Sequence, residues 1–296
     1  MALDYFKVDH PESHSTENKY PWIHPPVPKP SERLMIIGAS GCGKTHVGKC
    51  LLRKWWLDEE GQSLFDIIVI FSPSLLHDPI YEELYANPIL HDKIDPHIEM
   101  DIKLIQKLLD RKPDNLKICV MIDDFAFDKK VFQQPEVIAL YTRGRHANIT
   151  PVILSQFLTA ISPIIRENST GYIVFPLTRP KEEILLREQI STPRIKGQDF
   201  DDVLKEAHKG SEHNFLYFHV PTRRYYQNFE YELNPPEGEE PVRLPQTQDS
   251  TATATLKEQR IMIFAPQKSI ESKDQDEIDK AIEEEIKALE AKISKQ

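Results

Sequence analysis

The hydrophobic pattern from residue 31 onward alternates between short apolar runs and segments with helical periodicity. Apolar runs typical of buried strands are Leu34–Ile37, Phe65–Phe71, Ile118–Ile122, Val152–Ser155, Tyr172–Phe175 and Phe215–Val220. The segment RRYYQNFEY predicts a last, antiparallel strand. Helices are predicted between the strands, over 44–57, Asp101–Leu109, Glu136–Tyr141, Phe157–Arg166, Lys181–Gln189 and Phe200–His208. Strands that alternate with helices predict an α/β fold with a mainly parallel sheet and helices on both faces.

The two ends of the chain have different patterns from this central domain, residues 31–230. Residues 1–30 contain YPWIHPPVPKP, whose prolines predict an extended arm that docks through its Trp and Ile. Residues 231–270 are typical of a disordered linker. Residues 271–296 predict an acidic amphipathic helix. Two interpretations of this helix fit its sequence equally well: a solvated tail without a specific role, or a helix that packs on a partner. Its apolar stripe is Ile278, Ile282, Ile286, Leu289 and Ile293.

Charge and composition leave the class of partner open. The net charge of the 296 residues is −10, but residues 231–296 carry 9 basic and 15 acidic side chains, which is −6 of that total. Whole-chain acidity therefore does not exclude a nucleic-acid partner for the central domain. No apolar stretch is long enough for a membrane span, and the polar N-terminus does not resemble a signal peptide. Three cysteines, an odd number without a CxxC pair, indicate a reducing compartment.

The segment LMIIGASGCGKTHVGKCLL carries the strongest chemical signal. It fits G-x-x-x-x-G-K-[ST] between an apolar strand and a helix, which is the context a phosphate-binding P-loop requires. Backbone N–H groups must converge on phosphate oxygens there, so glycines are needed. Lys44 is expected to reach the β and γ phosphates of ATP, and Thr45 to bind Mg²⁺. The predicted nucleotide-binding residues are Gly38, Ala39, Ser40, Gly41, Cys42, Gly43, Lys44, Thr45 and His46.

A second acidic motif follows in LKICVMIDDFAF, an apolar run that ends in two aspartates. A strand delivers its last side chains to the carboxyl edge of a parallel sheet, where ligands bind. Asp123 is therefore predicted to hold Mg²⁺, and Asp124 to accept a proton from the attacking water. The strand FDIIVIF between the two motifs favours an ATPase with a strand inserted between the nucleotide strand and the acidic strand. No NKxD-like guanine-reading motif occurs, which favours ATP over GTP.

Three segments together resemble a known family. PSERLMIIGASGCGKT, KICVMIDD and RGRHANITPVILSQ, in this order, are similar to the poxvirus-type genome-packaging ATPases. These occur in large DNA viruses, virophages and polintons and belong to the FtsK–HerA superfamily of P-loop ATPases. The resemblance covers about residues 30–220. It implies a sheet in which the strand ending at Gln156 lies between the P-loop strand and the acidic strand.

The resemblance also implies roles for polar residues around that strand. Gln156 would lie beside the γ-phosphate and orient the attacking water, since an amide can donate and accept hydrogen bonds at once. Arg143 or Arg145, in the segment that also holds His146, would reach the ATP of a neighbouring subunit, and Arg166 is another candidate. Cations that merely stabilise a helix C-terminus are the simpler interpretation of the same residues. The acid after Asp123 departs from the Glu common in the superfamily.

The function implied is an ATP-hydrolysing translocase that packages double-stranded DNA into a viral or virus-like capsid. Its partners would be duplex DNA, a homo-oligomeric ring of its own copies and capsid or other virion proteins, with no membrane. It would act in the cytoplasm or nucleus of a eukaryotic host cell and in the virion. Lys129 and Lys130 are candidate DNA contacts. The alternatives are an AAA+-like helicase or loader, and a nucleotide-dependent switch that acts through the C-terminal helix.

Overall fold

The computed structural model describes residues 20–233, except 24, 112–114, 126–127, 129 and 192–197. Tyr231–Leu233, which were assigned to the predicted linker, form the last strand of the sheet instead, because they pair with the preceding strand. Residues 234–270 of that linker and the C-terminal acidic helix lie outside the described residues. Nine strands are present: β1 Leu34–Ile37, β2 Ile67–Phe71, β3 Ile94–His97, β4 Ile118–Asp123, β5 Ile149–Ser155, β6 Gly171–Val174, β7 Leu216–His219, β8 Arg224–Gln227 and β9 Tyr231–Leu233. The α-helices are α1 Lys44–Cys50, α2 Pro79–Tyr85, α3 Ile102–Asp110, α4 Pro135–Thr142, α5 Pro163–Asn168, α6 Pro180–Ile190 and α7 Gln198–Ala207.

All nine strands form one sheet in the order β3-β2-β4-β5-β1-β6-β7-β8-β9. The six strands from β3 to β6 run parallel, and β7, β8 and β9 continue the sheet antiparallel. The carboxyl ends of β1, β4 and β5 therefore meet at one edge. The strand β5 lies between β1 and β4, as the resemblance implied. The strand inserted between the nucleotide strand β1 and the acidic strand β4 is thus β5. The prediction that FDIIVIF fills this place is wrong, because this segment forms β2, which lies on the other side of β4.

Side chains of alternate residues in β1 point into two separate cores, one on each face of the sheet. Leu34 and Ile36 pack with residues of α1, α2 and the segment that follows α1. Met35 and Ile37 pack with residues of α3, α4, α5 and α6. All four are fully buried, because neighbouring parallel strands flank them and helices cover both faces. The predicted α/β fold with a mainly parallel sheet and helices on both faces is confirmed.

Several element predictions need correction. Residues 157–166 do not form one helix: a 3₁₀ turn at Leu158–Ala160 precedes α5, which begins at Pro163, since proline disrupts a helix interior but suits its first turn. RRYYQNFEY forms the hairpin β8–β9 rather than one strand, because Asn228 and Phe229 take left-handed conformations. After α1 the chain winds into a π-helical turn, Leu51–Trp55. The elements α2 and β3 were not predicted.

The described end of the N-terminal arm packs on the segment that follows α1. The indole N–H of Trp22 donates to the Leu57 carbonyl at 2.9 Å, and that of Trp56 donates to the Pro28 carbonyl at 2.8 Å. Ile23 is buried in the core on the α1 side of the sheet. This contact gives an intramolecular partner for the Trp and Ile of the arm. No helix in the described part of the chain has both the length and the apolar character needed to cross a bilayer.

A buried carboxyl group lies just before β1, at the amino edge of the sheet. Glu32 accepts hydrogen bonds from the Lys29 backbone N–H at 2.8 Å and from the Tyr217 hydroxyl at 2.7 Å. Burial is the largest influence on this group and raises the pKa of Glu32 to about 7. The Nε2 atom of His219 lies 3.8 Å from Glu32 Oε1, and burial, followed by the charge of Lys29, lowers the pKa of His219 to about 4.

Replacing Glu32 by Gln should therefore change how stability depends on pH. The folded chain holds the Glu32 proton up to pH about 7, whereas the unfolded chain releases it near 4.5. The free energy of unfolding of the wild type should fall, relative to that of E32Q, as the pH rises through this window. The expected relative change is on the order of 3 kcal/mol, measured by urea unfolding of both proteins. His219 is present in both, so its opposite contribution cancels; a constant difference would contradict the raised pKa.

Candidate functional site

Three strand ends meet at the carboxyl edge of the sheet and bring together the P-loop, the two aspartates after β4 and Gln156. In the sheet register Ile37, the last residue of β1, pairs with Ser155 of β5, and Asp123 of β4 pairs with Leu154. Gln156 is the next residue after β5. The P-loop, Asp123 and Gln156 therefore leave the sheet side by side, although they lie far apart in the sequence.

The P-loop between β1 and α1 has the backbone that its glycines allow. Gly43 has φ 110° and ψ 12° directly before the helix, and Gly41 has φ 78°, both left-handed values that other residues rarely adopt. At Gly38 the constraint is space. A Cβ atom there would lie 2.6 Å from Phe175 Cβ and 2.7 Å from Cys42 Sγ. A glycine-rich loop that leads directly into a helix N-terminus is an arrangement that favours an anion.

Lys44 lies folded over its own loop. Its Nζ atom donates a hydrogen bond to the Ala39 carbonyl at 2.8 Å, and the residue is only 9% exposed. Phosphate oxygens are better acceptors for an ammonium group than a neutral carbonyl, because the charges attract. A phosphate group at this loop could therefore compete with the Ala39 carbonyl for the lysine.

Thr45 and Asp123 form the part of the site that could hold a metal ion. The Thr45 hydroxyl donates to Asp123 Oδ2 at 2.8 Å, and the Tyr81 hydroxyl of α2 donates to the same oxygen at 2.6 Å. Burial raises the pKa of the Asp123 carboxyl, while these two hydrogen bonds and the charge of Lys44 act in the opposite direction. Hydroxyl and carboxylate oxygens fit Mg²⁺, which prefers hard oxygen ligands and usually takes others from phosphate and water. Within the described residues, no group of three or more His, Cys, Asp and Glu side chains could hold a metal ion.

Asp124 faces a separate set of partners. It adopts a left-handed backbone conformation, φ 60°, which asparagine and aspartate tolerate better than most residues. The Ser74 hydroxyl donates to Asp124 Oδ2 at 2.8 Å, and Gln156 Nε2 donates to Oδ1 at 3.3 Å. The acid proposed as the base and the amide proposed to orient water are therefore in direct contact.

The remaining nucleotide-binding candidates lie in or next to the loop. Ser40 is exposed at its tip, and Cys42 is buried, where burial raises the pKa of its thiol. His46 follows Thr45 on α1, and burial, together with the charges of Lys49 and Lys54, lowers the pKa of its imidazole. A neutral imidazole at this point adds no positive charge to the site.

Arg143, Arg145 and His146 do not join this site within their own chain. They are exposed and precede β5, which starts at Ile149, so they lie at the amino edge of the sheet. The charge of Arg145 acts instead on Arg33, just before β1, and contributes to lowering the pKa of that guanidinium after the larger effect of burial. Any contact of these cations with a nucleotide would have to be made in another subunit.

Arg166, the other candidate, is held inside its own domain. Its Nη1 atom donates to the Leu158 carbonyl at 3.2 Å and to the Ile161 carbonyl at 3.1 Å. These bonds join α5 to the 3₁₀ turn after β5. The structure thus gives the partly exposed Arg166 an intramolecular bracing role, which needs no nucleotide.

Three further residues at the site were not predicted from the sequence. Tyr81 and Ser74 come from the connection between β2 and β3, and each donates to one of the two aspartates. His213, before β7, donates from Nδ1 to the Cys42 carbonyl at 3.0 Å and so braces the P-loop. None belongs to a motif. Only the helix start DPIYEEL, with Asp78 as N-cap and Pro79 in the first turn, was a signal that α2 existed.

Comparisons with known proteins give partial similarities. No family model matches the chain. Uncharacterized protein 015R of Frog virus 3 (isolate Goorha) is 27% identical over 145 residues, 48% of this chain and 43% of that protein. Uncharacterized protein 075L of Invertebrate iridescent virus 6 is 25% identical over 150 residues, 48% of this chain and 54% of that protein. The chain thus spans about half the length of these two relatives.

Two solved structures show partial similarity to this chain. The genome packaging NTPase B204 from Sulfolobus turreted icosahedral virus 2, in complex with AMP, has a TM-score of 0.49 and 13% identity. The similarity covers 68% of this chain and 98% of that one. The cytoplasmic domain of EssC has a TM-score of 0.42 and 19% identity, over 57% of this chain and 35% of that one.

Proposed function

We propose that this chain is an ATPase whose hydrolysis drives double-stranded DNA into a viral capsid. The observation that carries the ATPase proposal is the meeting of Lys44, the Thr45–Asp123 pair and the Asp124–Gln156 pair at one edge of the sheet. A lysine for phosphates, oxygen ligands for a metal and an acid next to an amide are the groups that phosphoryl transfer to water requires. The DNA part rests on the resemblance of the three sequence segments and accords with the viral source of the relatives.

The residues would divide the chemistry among them. Lys44 would leave the Ala39 carbonyl and bind the β and γ phosphates, and Thr45 and Asp123 would hold Mg²⁺, which neutralises phosphate charge. Gln156 would orient the attacking water, and Asp124 would accept its proton, because the two side chains are in contact. Phosphoryl transfer is accelerated mainly by positioning and electrostatics, so buried, hydrogen-bonded groups suit it.

A test of the motor is the ATPase rate of the full chain with and without duplex DNA, together with its size in solution. We expect DNA to stimulate hydrolysis several-fold, an oligomer to form with ATP, and the stimulation to weaken as salt rises, since phosphate contacts dominate such binding. Lys130, exposed after β4, is a candidate contact. If DNA does not change the hydrolysis rate and the protein stays monomeric with ATP, the chain is still an ATPase, but the proposal that it moves DNA is wrong.

Arg145 offers a test of a trans contact in that oligomer. Arg145 is exposed and lies at the amino edge of the sheet, so it could contact only the nucleotide of a neighbouring subunit. R145A should therefore inactivate hydrolysis while leaving nucleotide binding intact. Mixing R145A with K44A subunits should restore part of the activity, since an R145A site could receive the arginine of a K44A neighbour. R143A measured in the same way distinguishes the two arginines. If neither mixture regains activity, a trans role for this segment is wrong.

Tyr81 should matter for Mg²⁺ because it orients the carboxyl group of Asp123. Y81F keeps the buried ring and removes only the hydroxyl that donates to Oδ2. Loss of such a supporting hydrogen bond should raise the Mg²⁺ concentration for half-maximal hydrolysis about 10-fold. A Mg²⁺ titration of the ATPase measures it, with Y85F as the matched control, since the Tyr85 hydroxyl lies on the same helix and bonds to no described residue. Equal requirements in Y81F and Y85F would show that the Tyr81 bond is structural only.

A further inference from the structure

A cavity of about 170 Å³ lies beside the P-loop, on the side of Gln156. It is open toward solvent and lies between the loop, the end of β5 and the start of α6. Six of the residues that line it are Ala39, Ser40, Gln156, Phe157, Arg179 and Glu182. The cavity thus joins two groups of the proposed site to a segment that the proposed function does not use.

The position of Lys44 shows which end of a nucleotide this cavity would face. The Lys44 ammonium group binds the carbonyl of Ala39, one of the cavity walls. A P-loop lysine contacts the β and γ phosphates, so the terminal phosphate would lie close to Ala39. The other wall residue with a proposed role, Gln156, is expected at the same phosphate. The cavity is therefore on the terminal-phosphate side of the loop.

Arg179 contributes a cation to this cavity. It is exposed, and its guanidinium carbon lies 4.2 Å from the centroid of the Phe157 ring. In the part of the chain that the structure describes, no carboxylate forms an ion pair with Arg179. Glu182, the acid nearest along the chain, is buried and accepts instead from the Thr159 N–H at 3.1 Å and the Thr159 hydroxyl at 2.5 Å. The guanidinium is thus positioned by an aromatic face but not neutralised.

We propose that Arg179 contacts the terminal phosphate of the nucleotide bound to its own subunit. This inference rests on the proposed function and adds to it a second cation from the same chain. Two aspartates lie at the β4 side of the site. Lys44 is the cation of the same chain that the proposed function places there, and Arg179 would be the second. A planar guanidinium can bind two phosphate oxygens at once. Phe157 holds it beside Gln156 until the nucleotide arrives, because a cation over an aromatic face is favourable but weak when exposed.

The test compares R179A with K181A, which removes an exposed positive charge from the same end of α6. Affinities for ATPγS and ADP are measured separately for the full chain. Because ADP lacks the terminal phosphate, R179A should bind ATPγS about 10-fold more weakly and ADP as the wild type does, while K181A should bind both normally. The turnover number of R179A should fall about 100-fold, as when one oriented donor to a transition state is removed.

Mixed oligomers decide whether the contact is made within the subunit. R179A mixed with K44A should not recover hydrolysis, because the K44A neighbour cannot supply an arginine that acts only in its own site. Recovery would show a trans contact and overturn the proposal, as would equal ATPγS affinity in R179A and K181A. If the wild type does not hydrolyse ATP, the proposed function fails, and the comparison of ATPγS with ADP still decides the role of Arg179.

Discussion

K44A should lose ATP hydrolysis by about a thousandfold, because the P-loop would lose its one lysine contact to the phosphates. Lys44 is the cation held over the P-loop, and alanine leaves the phosphates without the charge that stabilises them as the bond to the γ-phosphate breaks. The fold should tolerate the change, because the side chain makes a single hydrogen bond, to a loop carbonyl, which contributes about 2 kcal/mol. Steady-state phosphate release and thermal unfolding, measured on the same preparation, separate the two effects.

The matched control is K54A, which removes a partly exposed lysine from the π-helical turn that follows α1. It changes the net charge equally but does not touch the loop, so hydrolysis should stay within about twofold of the wild type. Turnover that survives in K44A would place the catalytic site elsewhere. A loss of turnover in both variants would point to charge or folding rather than to phosphate binding.

D124N should lower the turnover number about 100- to 10,000-fold with little change in ATP affinity, as expected for loss of a general base. Asparagine suits the test because it tolerates the left-handed backbone at φ 60° and is nearly isosteric with aspartate. It still offers an oxygen to Gln156 or to Ser74, so the local hydrogen bonds can re-form. What it cannot do is take a proton from water. Single-turnover hydrolysis together with ATPγS binding measures the two quantities.

Asp128 provides the control for this change. It lies shortly after Asp124, and its carboxylate accepts the Lys130 N–H at 3.0 Å in a turn that asparagine can also form. D128N should therefore hydrolyse ATP like the wild type. Near-normal single-turnover rates in D124N would remove Asp124 from the chemistry and leave Gln156 alone to position the water.

The elements of the fold could be predicted well where the hydrophobic periodicity was strong. They were predicted poorly where a proline or the geometry of a turn determined where an element begins or ends. The buried strands β1, β4 and β5 were found because both faces of each are covered, which gives continuous apolar runs. The strand β3 has the sequence IDPH, is half exposed and contains Pro96. It therefore shows neither a continuous apolar run nor a sequence free of proline, the two features that indicate a buried strand. The spatial place of FDIIVIF could not be predicted from its place in the chain, because strand order in a sheet depends on crossovers.

The residues of the site also differ in how well they could be predicted from the sequence. Motif residues were predicted because phosphate chemistry restricts them to glycine, lysine and hydroxyl residues at fixed spacing. Tyr81, Ser74 and His213 act by supporting motif residues from distant segments, and many residue types can donate one hydrogen bond. Their identity follows only from the packing of α2 and of the loop before β7. The roles of the predicted residues in catalysis stay predictions, which the variants above test.

The most direct measurement is a crystal structure of the full chain with ATPγS and Mg²⁺. The nucleotide should lie across the P-loop, with Lys44 moved from the Ala39 carbonyl to the terminal phosphates. Mg²⁺ should lie between Thr45 and Asp123, and Gln156 should face the γ-phosphate. A nucleotide bound away from the carboxyl ends of β1, β4 and β5, or a Lys44 that remains on Ala39 while nucleotide is bound, would contradict the account.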